Sequence, residues 1–191
     1  DGWSAEDVRA LVDSWCPRLT GWFVAITDHV LSPEWSAALA SHGRYVFAPI
    51  PWVAPGSRVR LTGDGPSSWT CWIIVARPSR DLRTGRGLGM SAFRDGTGCS
   101  KWGTLPGAYI ITTERTDAPI TGTKPLALMQ ALVRDYSRPG DLICDPCAGT
   151  GTTLLAARSQ GRRSVGAEMS AETYAYARKR LDAGWQPELF V

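Results

Sequence analysis

The chain has 191 residues, of which 43% are apolar and 20% charged, and its formal net charge is +3. That length fits one domain and buries well over half of the chain's surface, the composition is that of an ordered globular chain, and no apolar run approaches the roughly 18 residues of a membrane span. The five cysteines, Cys16, Cys71, Cys99, Cys144 and Cys147, are an odd number in a chain too large to need stapling, so reduced thiols are expected.

The start, Asp1-Gly2-Trp3-Ser4-Ala5-Glu6, has neither the basic residues nor the apolar stretch of a secretory signal, so a cytoplasmic location is expected. Ser4 before Ala5, Glu6 and Asp7 is a helix start, and Val8, Leu11, Val12 and Trp15 follow at helical spacing, predicting a helix over 4–15 that Pro17 ends. Trp22 to Thr27 is a short apolar run with the pattern of a strand buried on both faces. Ser32-Pro33-Glu34 opens a second helix through Ser41, closed by Gly43. Tyr45 to Ala48 and Trp72 to Ala76 read as two strands, with a polar segment over 56–68 between them. Trp3, Trp15, Trp22 and Trp35 are expected in the core, and His29 and His42 at helix edges as surface or capping residues.

From Pro78 to Gly107 the composition shifts to Gly, Arg and Ser without apolar periodicity, the signature of a long surface insertion. A short strand at 109–111 follows. Lys124-Pro125 then starts a helix with Leu126, Met129, Leu132, Val133 and Tyr136 on one face. Strands at 142–144 and 164–167 alternate with helices at 152–160 and 171–181. Alternation throughout implies an α/β fold with a mostly parallel sheet and helices on both faces.

Within that alternation a strand ends in Asp145, a turn runs Gly149-Thr150-Gly151, and a helix begins at Thr152. The arrangement aims backbone N–H groups and a positive helix end at a ligand, and glycine permits close approach. The next strand leads to Glu168, about twenty residues downstream, where a carboxylate can accept both hydroxyls of a ribose. A nucleoside-containing ligand is therefore expected. The phosphate-binding loop of nucleotide hydrolases fits poorly, because Thr152 stands where it needs Lys, and the dinucleotide pattern fits poorly because Leu154 replaces its third small residue. Cys144-Asp145-Pro146-Cys147 has redox spacing, but its first thiol falls inside the strand. Neither Cys71 nor Cys99 has a paired spacing that would suggest a metal, and none is expected.

Asp145-Pro146-Cys147-Ala148-Gly149-Thr150-Gly151-Thr152-Thr153 resembles the signature Asp-Pro-Phe-x-Gly-x-Gly-Thr of the amino-group DNA methyltransferases, which use S-adenosylmethionine. Thr123-Lys124-Pro125-Leu126 is similar to the Lys-Pro helix that precedes the signature in that family's permuted subgroup, where the catalytic half comes first. Trp22 to Asp28, Pro51-Trp52-Val53 and Thr62 to Pro66 resemble, more loosely, the middle of bacterial and phage members. Cys147 departs from the usual Phe, and Thr121-Gly122-Thr123 stands where a His is often found. The resemblance implies a single Rossmann-like methyltransferase domain over 1–191. It implies that Asp145, Pro146, Cys147, Gly149 and Gly151 shape the pocket around the cofactor's amino acid part, that Glu168 holds the ribose, and that Lys124, Pro125 and Thr152 line the same pocket.

It further implies double-stranded DNA as partner and adenine, ahead of cytosine, as the methylated base. The insertion at 78–107 occupies the place of the family's target-recognition region. Its Arg80, Arg83, Arg86, Arg94 and Lys101 are the candidate DNA contacts, since guanidiniums bind phosphates and read guanine edges.

The family's catalytic tetrapeptide, Asp-Pro-Pro-Tyr, which accepts the amino hydrogens of an extruded base and stacks on it, does not occur in the sequence. Ala48-Pro49-Ile50-Pro51-Trp52 has an aromatic but no Asp or Asn, and the order of elements puts it on a later strand, so a structural role is expected and the catalytic residues stay unassigned. Counting elements, the chain is expected to start just after the catalytic strand, and the absent initiator Met agrees. The alternative is a non-catalytic or split subunit, and a second subunit, a preceding segment or a homodimer each fit the pattern.

Overall fold

The computed structural model describes residues 2–56, 68–79, 104–113, 118 and 122–183. They form two compact units, Asp1–Ile110 and Ile111–Val191.

The first unit opens with helix α1 (Ala5–Trp15). Ser4 caps it through a reciprocal pair: the Asp7 N–H donates to Ser4 Oγ at 3.2 Å, and the Ser4 N–H donates to Asp7 Oδ2 at 2.8 Å. Pro17 lies in a 3-10 turn at Cys16–Arg18 that ends the helical run. Strand β1 (Phe23–Thr27) follows, and Asp28 Oδ1 then accepts the N–H groups of Val30 and Leu31 at 2.9 and 2.8 Å, bending the chain into α2 (Ser32–Ser41). Val8 and Val12 of α1, with Trp35, Ala38 and Leu39 of α2, pack on Phe23, Ile74 and Ala76 to form the core of this unit.

The sheet is built around one long strand. Strand β4 (Thr70–Pro78) pairs antiparallel with β1 on one side and with β2 (Arg44–Val46) and β3 (Ile50–Val53) on the other, and β3 pairs parallel with β5 (Tyr109–Ile110). Ile73, Ile74, Val75 and Ala76 are buried, as an apolar run of that length in a central strand requires. The strand expected at 45–48 is the shorter β2, ending at Val46, and a second short strand, β3, pairs with another part of β4. Pro51 sits in the second of them, opposite Trp72, and has no N–H to give the ladder. Trp35 is buried as expected, but Trp3 is 45% exposed and leans on Trp35 at a ring distance of 5.8 Å, because it precedes the helix that would have carried it inward. His42 caps α2 and meets Asp13 at 2.7 Å, and His29 is exposed.

The second unit runs α3 (Leu126–Tyr136), β6 (Leu142–Asp145), α4 (Thr152–Ser159), β7 (Arg163–Gly166) and α5 (Ala171–Ala183). β6 and β7 are parallel, with Asp145 opposite Gly166. Leu128, Leu132 and Val133 on α3 are buried, as are Leu155, Ala156 and Ala157 on α4, and the two helices pack together, joined also by Gln130 donating to Ser159 Oγ at 2.9 Å. One face of the β6–β7 pair carries Leu142, Cys144 and Val165, all exposed, Leu142 at 55% and Val165 at 50%. The described strands therefore pair in mixed fashion, antiparallel about β4 and parallel at β3–β5 and β6–β7. The insertion expected at 78–107 lies mostly outside the described residues; β4 reaches Pro78 before it.

Candidate cofactor-binding turn

The second unit brings the two expected acids to one turn. Asp145 ends β6, and its Oδ1 accepts the Cys147 N–H at 3.0 Å, which folds the chain back over the strand end. Backbone bonds from Ala148 N–H to the Ala167 carbonyl at 2.9 Å, and from Ala167 N–H to the Asp145 carbonyl at 3.0 Å, lace the turn to the segment after β7. Gly149 and Gly151 have φ of 52° and 78°, the left-handed region open to glycine, and the Gly151 N–H closes on the Ala148 carbonyl at 2.8 Å.

Glu168 faces this turn. One carboxylate oxygen accepts the Gly149 N–H at 2.9 Å and the other the Ser170 N–H at 2.8 Å, so backbone donors fix the acid directly beside the glycines. Each oxygen keeps a free lone-pair direction, which is what a carboxylate needs to receive two vicinal hydroxyls. Gly151 caps α4 without any side-chain bond to the helix, leaving its first N–H groups at the turn with the positive end of the helix. A left-handed glycine turn, a helix N-terminus and an oriented carboxylate together fit a nucleoside with an anionic or polar tail.

Of the other expected site residues, Pro146 and Cys147 lie in the turn itself. The Cys147 thiol is pushed up from its usual range by burial first, then by Asp145 and Glu168; Cys144 is pushed up by burial and Asp145. Both thiols are free, and raised thiol values oppose the thiolate that redox chemistry requires. Thr152 starts α4, but its hydroxyl is buried and meets Thr150 Oγ1 at 3.3 Å, leaving its backbone as the part nearer a ligand. Pro125 is buried at the head of α3, and Lys124 beside it donates to the Gly122 carbonyl at 2.9 Å. Before them, the Thr123 hydroxyl is buried and, among the described residues, has no hydrogen-bond partner. Arg80, Arg83, Arg86, Arg94 and Lys101 lie outside the described residues. No group of three or more metal-binding side chains occurs among the described residues, and no described helix is long and apolar enough to cross a membrane.

Two residues that build the turn are not apparent from the motif. A Cβ on Gly166 would lie 2.9 Å from Ala148 Cβ, 3.0 Å from Leu154 Cδ1 and 3.1 Å from the Asp145 carbonyl, so the end of β7 must be bare for the turn to close. Glycine inside a strand is the available signal for such an approach. Arg180, from α5, reaches the Thr150 carbonyl at 2.7 Å, and a helical arginine offers no signal of that kind.

Comparison with known proteins agrees with this geometry. A family model described as DNA methylase, for N6 and N4 methyltransferases, matches residues 71–179, more than half of the chain. The chain is 40% identical over 60 residues to the type II methyltransferase M2.DpnII of Streptococcus pneumoniae, covering 31% of this chain and 22% of that protein. It is 39% identical over 59 residues to the DNA adenine methyltransferase YhdJ of Escherichia coli, covering 31% of this chain and 20% of that one. These matches span about a fifth of each relative. The fold resembles the crystal structure of the M1.HpyAVI–SAM complex with a TM-score of 0.72 at 21% identity, over 91% of this chain and 81% of that one, which supports the Rossmann-like α/β class. With the family model covering most of the second unit and β4 of the first, the chain belongs to the N6/N4 DNA methylase family.

Proposed function

We propose that this chain is an S-adenosylmethionine-binding DNA methyltransferase domain over 1–191, acting on the exocyclic amino group of adenine in double-stranded DNA in the cytoplasm. The observation that carries it is the bond from the Gly149 N–H to Glu168, which sets the acid and the glycine turn into one cradle. In this reading Glu168 receives the ribose hydroxyls, while Asp145, Pro146, Cys147, Gly149 and Gly151 shape the pocket for the amino acid part. Lys124, Pro125 and Thr152 line it. Bound there, S-adenosylmethionine supplies a methyl group on a positively charged sulfur, and the protein contributes chiefly position. The preference for adenine rests on relatives such as YhdJ, named as an adenine methyltransferase. The order of the chain, with the β4 sheet before the cofactor turn, supports the permuted arrangement. The insertion at 78–107, with Arg80, Arg83, Arg86, Arg94 and Lys101, is the proposed DNA-reading segment.

A second reading has its own support: the sequence holds no Asp-Pro-Pro-Tyr segment. On that reading the chain binds cofactor or DNA as a non-catalytic or split subunit, with the base-holding residues on a preceding segment or a second chain. Calorimetric titration with S-adenosylmethionine, beside Glu168→Ala, followed by transfer of labelled methyl to unmodified DNA, separates the two. Hydrogen bonds to a charged group contribute about 1.5–3 kcal/mol, so Glu168→Ala is expected to weaken binding by roughly tenfold to a hundredfold. Binding with transfer supports the enzyme, binding without transfer the subunit, and no binding of S-adenosylmethionine by the unaltered chain overturns the enzyme and every cofactor-binding form of the subunit.

A further inference from the structure

Helix α5 contributes a guanidinium to the glycine turn. Arg180 Nη1 donates to the Thr150 carbonyl at 2.7 Å and lies 3.2 Å from Thr152 Oγ1, which itself meets Thr150 Oγ1 at 3.3 Å. Thr150 and Thr152 are each 4% exposed and Arg180 is partly buried, and its guanidinium carbon stands 5.8 Å from the centre of the Tyr176 ring. One turn earlier on α5, Ala177 also lies against the turn: a Cβ on Gly151 would come within 3.3 Å of Ala177 Cβ.

The bond falls on a significant peptide unit. The Thr150 carbonyl and the Gly151 N–H share one plane. Arg180 holds its oxygen at 2.7 Å, and the Ala148 carbonyl takes its N–H at 2.8 Å. The preceding glycine is held through its N–H by Glu168 at 2.9 Å. A turn with two glycines has many accessible conformations, and rotation of the Thr150–Gly151 plane would re-aim the first N–H groups of α4. A charged donor to a buried carbonyl is among the stronger ways to prevent that rotation.

We propose that Arg180 is a positioning residue for the cofactor site, holding the Gly149–Gly151 turn in the form that receives the ligand. The inference rests on the reading of this turn as the S-adenosylmethionine site, and it assigns α5 a part in affinity. Arg158 provides a control. It donates to the Leu181 carbonyl at 2.6 Å and so also ties α4 to α5, but it does not touch the turn.

The test compares the unaltered chain with Arg180→Met, Arg180→Lys and Arg158→Met, all at a temperature where thermal unfolding shows each fully folded. Amide hydrogen exchange over 148–153 is measured without ligand, and S-adenosylmethionine affinity by calorimetry. Arg180→Met is expected to raise exchange in the turn and to weaken binding by about tenfold or more, as for a lost charge-assisted bond. Arg180→Lys, which keeps one donor, recovers part of both. Arg158→Met leaves both within about twofold, the scale expected of an exposed side chain. Equal exchange in Arg180→Met and the unaltered chain overturns the proposal, as does an equal change in Arg158→Met, which would mean that α5 merely stabilises the unit. A chain that shows the exchange contrast but binds no S-adenosylmethionine upholds the hold on the turn and overturns the cofactor reading instead.

Discussion

At the scale of single residues, the turn depends on where a methyl group cannot go. Gly166→Ala would drive a Cβ into Ala148, Leu154 and the Asp145 carbonyl at once, and two of those three neighbours leave little freedom to shift. Overpacking of this kind costs about 1–3 kcal/mol, a loss that denaturant unfolding should show. Asp7 gives a dependence on pH. The Ser4 hydroxyl first, and the Ser4 backbone second, hold its carboxyl below the ordinary 3.8, so the folded chain favours the ionised form. The capping contribution is complete above 3.8 and is lost as pH falls through the lowered value. Ser4→Ala should therefore lower the thermal midpoint at pH 7, and the gap to the unaltered chain should narrow in strong acid to the part due to the Asp7 N–H bond to Ser4 Oγ, which does not titrate. Cys147 titrates in the opposite sense: burial and the two carboxylates favour its neutral thiol. Asp145→Asn, which keeps the oxygen that accepts the Cys147 N–H but removes the charge, should speed alkylation of Cys147 at pH 8, measured by peptide mass.

At the scale of elements, the regular periods were legible and the joints were not. Helix α1 follows from Ser4 and the spacing of Val8 and Val12, and α3 from the spacing of Leu126, Met129, Leu132, Val133 and Tyr136, because a buried helical face repeats every three or four residues; of these, Leu132, Val133 and Tyr136 are buried, together with Leu128, which that spacing left out. Leu128 has no exposed surface, so Leu128→Ala should cost about 2–5 kcal/mol in denaturant unfolding, whereas Ala127→Ser on the exposed face should cost about 0.5 kcal/mol or less. The separation of β2 from β3 could not be read in the same way. Both strands face one partner, and only the register along β4 shows that Tyr45 meets Arg77 while Trp52 meets Cys71. The site was legible in proportion to its backbone chemistry. Gly149, Gly151 and Glu168 announce themselves because turns and strand ends have residue rules. Arg180 does not, since its role exists only once α5 has folded beside the turn.

At the scale of the whole molecule, a net charge of +3 is modest, and the basic residues of 80–101 carry the proposed affinity for DNA. If they neutralise phosphates, Arg83→Ala with Arg86→Ala should weaken binding to duplexes of any sequence and reduce the slope of log affinity against log salt by about 2, which fluorescence anisotropy at several salt concentrations would measure. The face bearing Leu142, Cys144 and Val165 acts on a different property. Apolar side chains left half in water on a parallel strand pair make the surface adhesive to its own kind, so the concentrated protein should scatter light before more polar variants do. Leu142→Lys with Val165→Thr should delay that onset. Colloidal behaviour in the tube would then be governed by two side chains on the same pair of strands that carries Asp145 and leads to Glu168, on the face that takes no part in holding the turn.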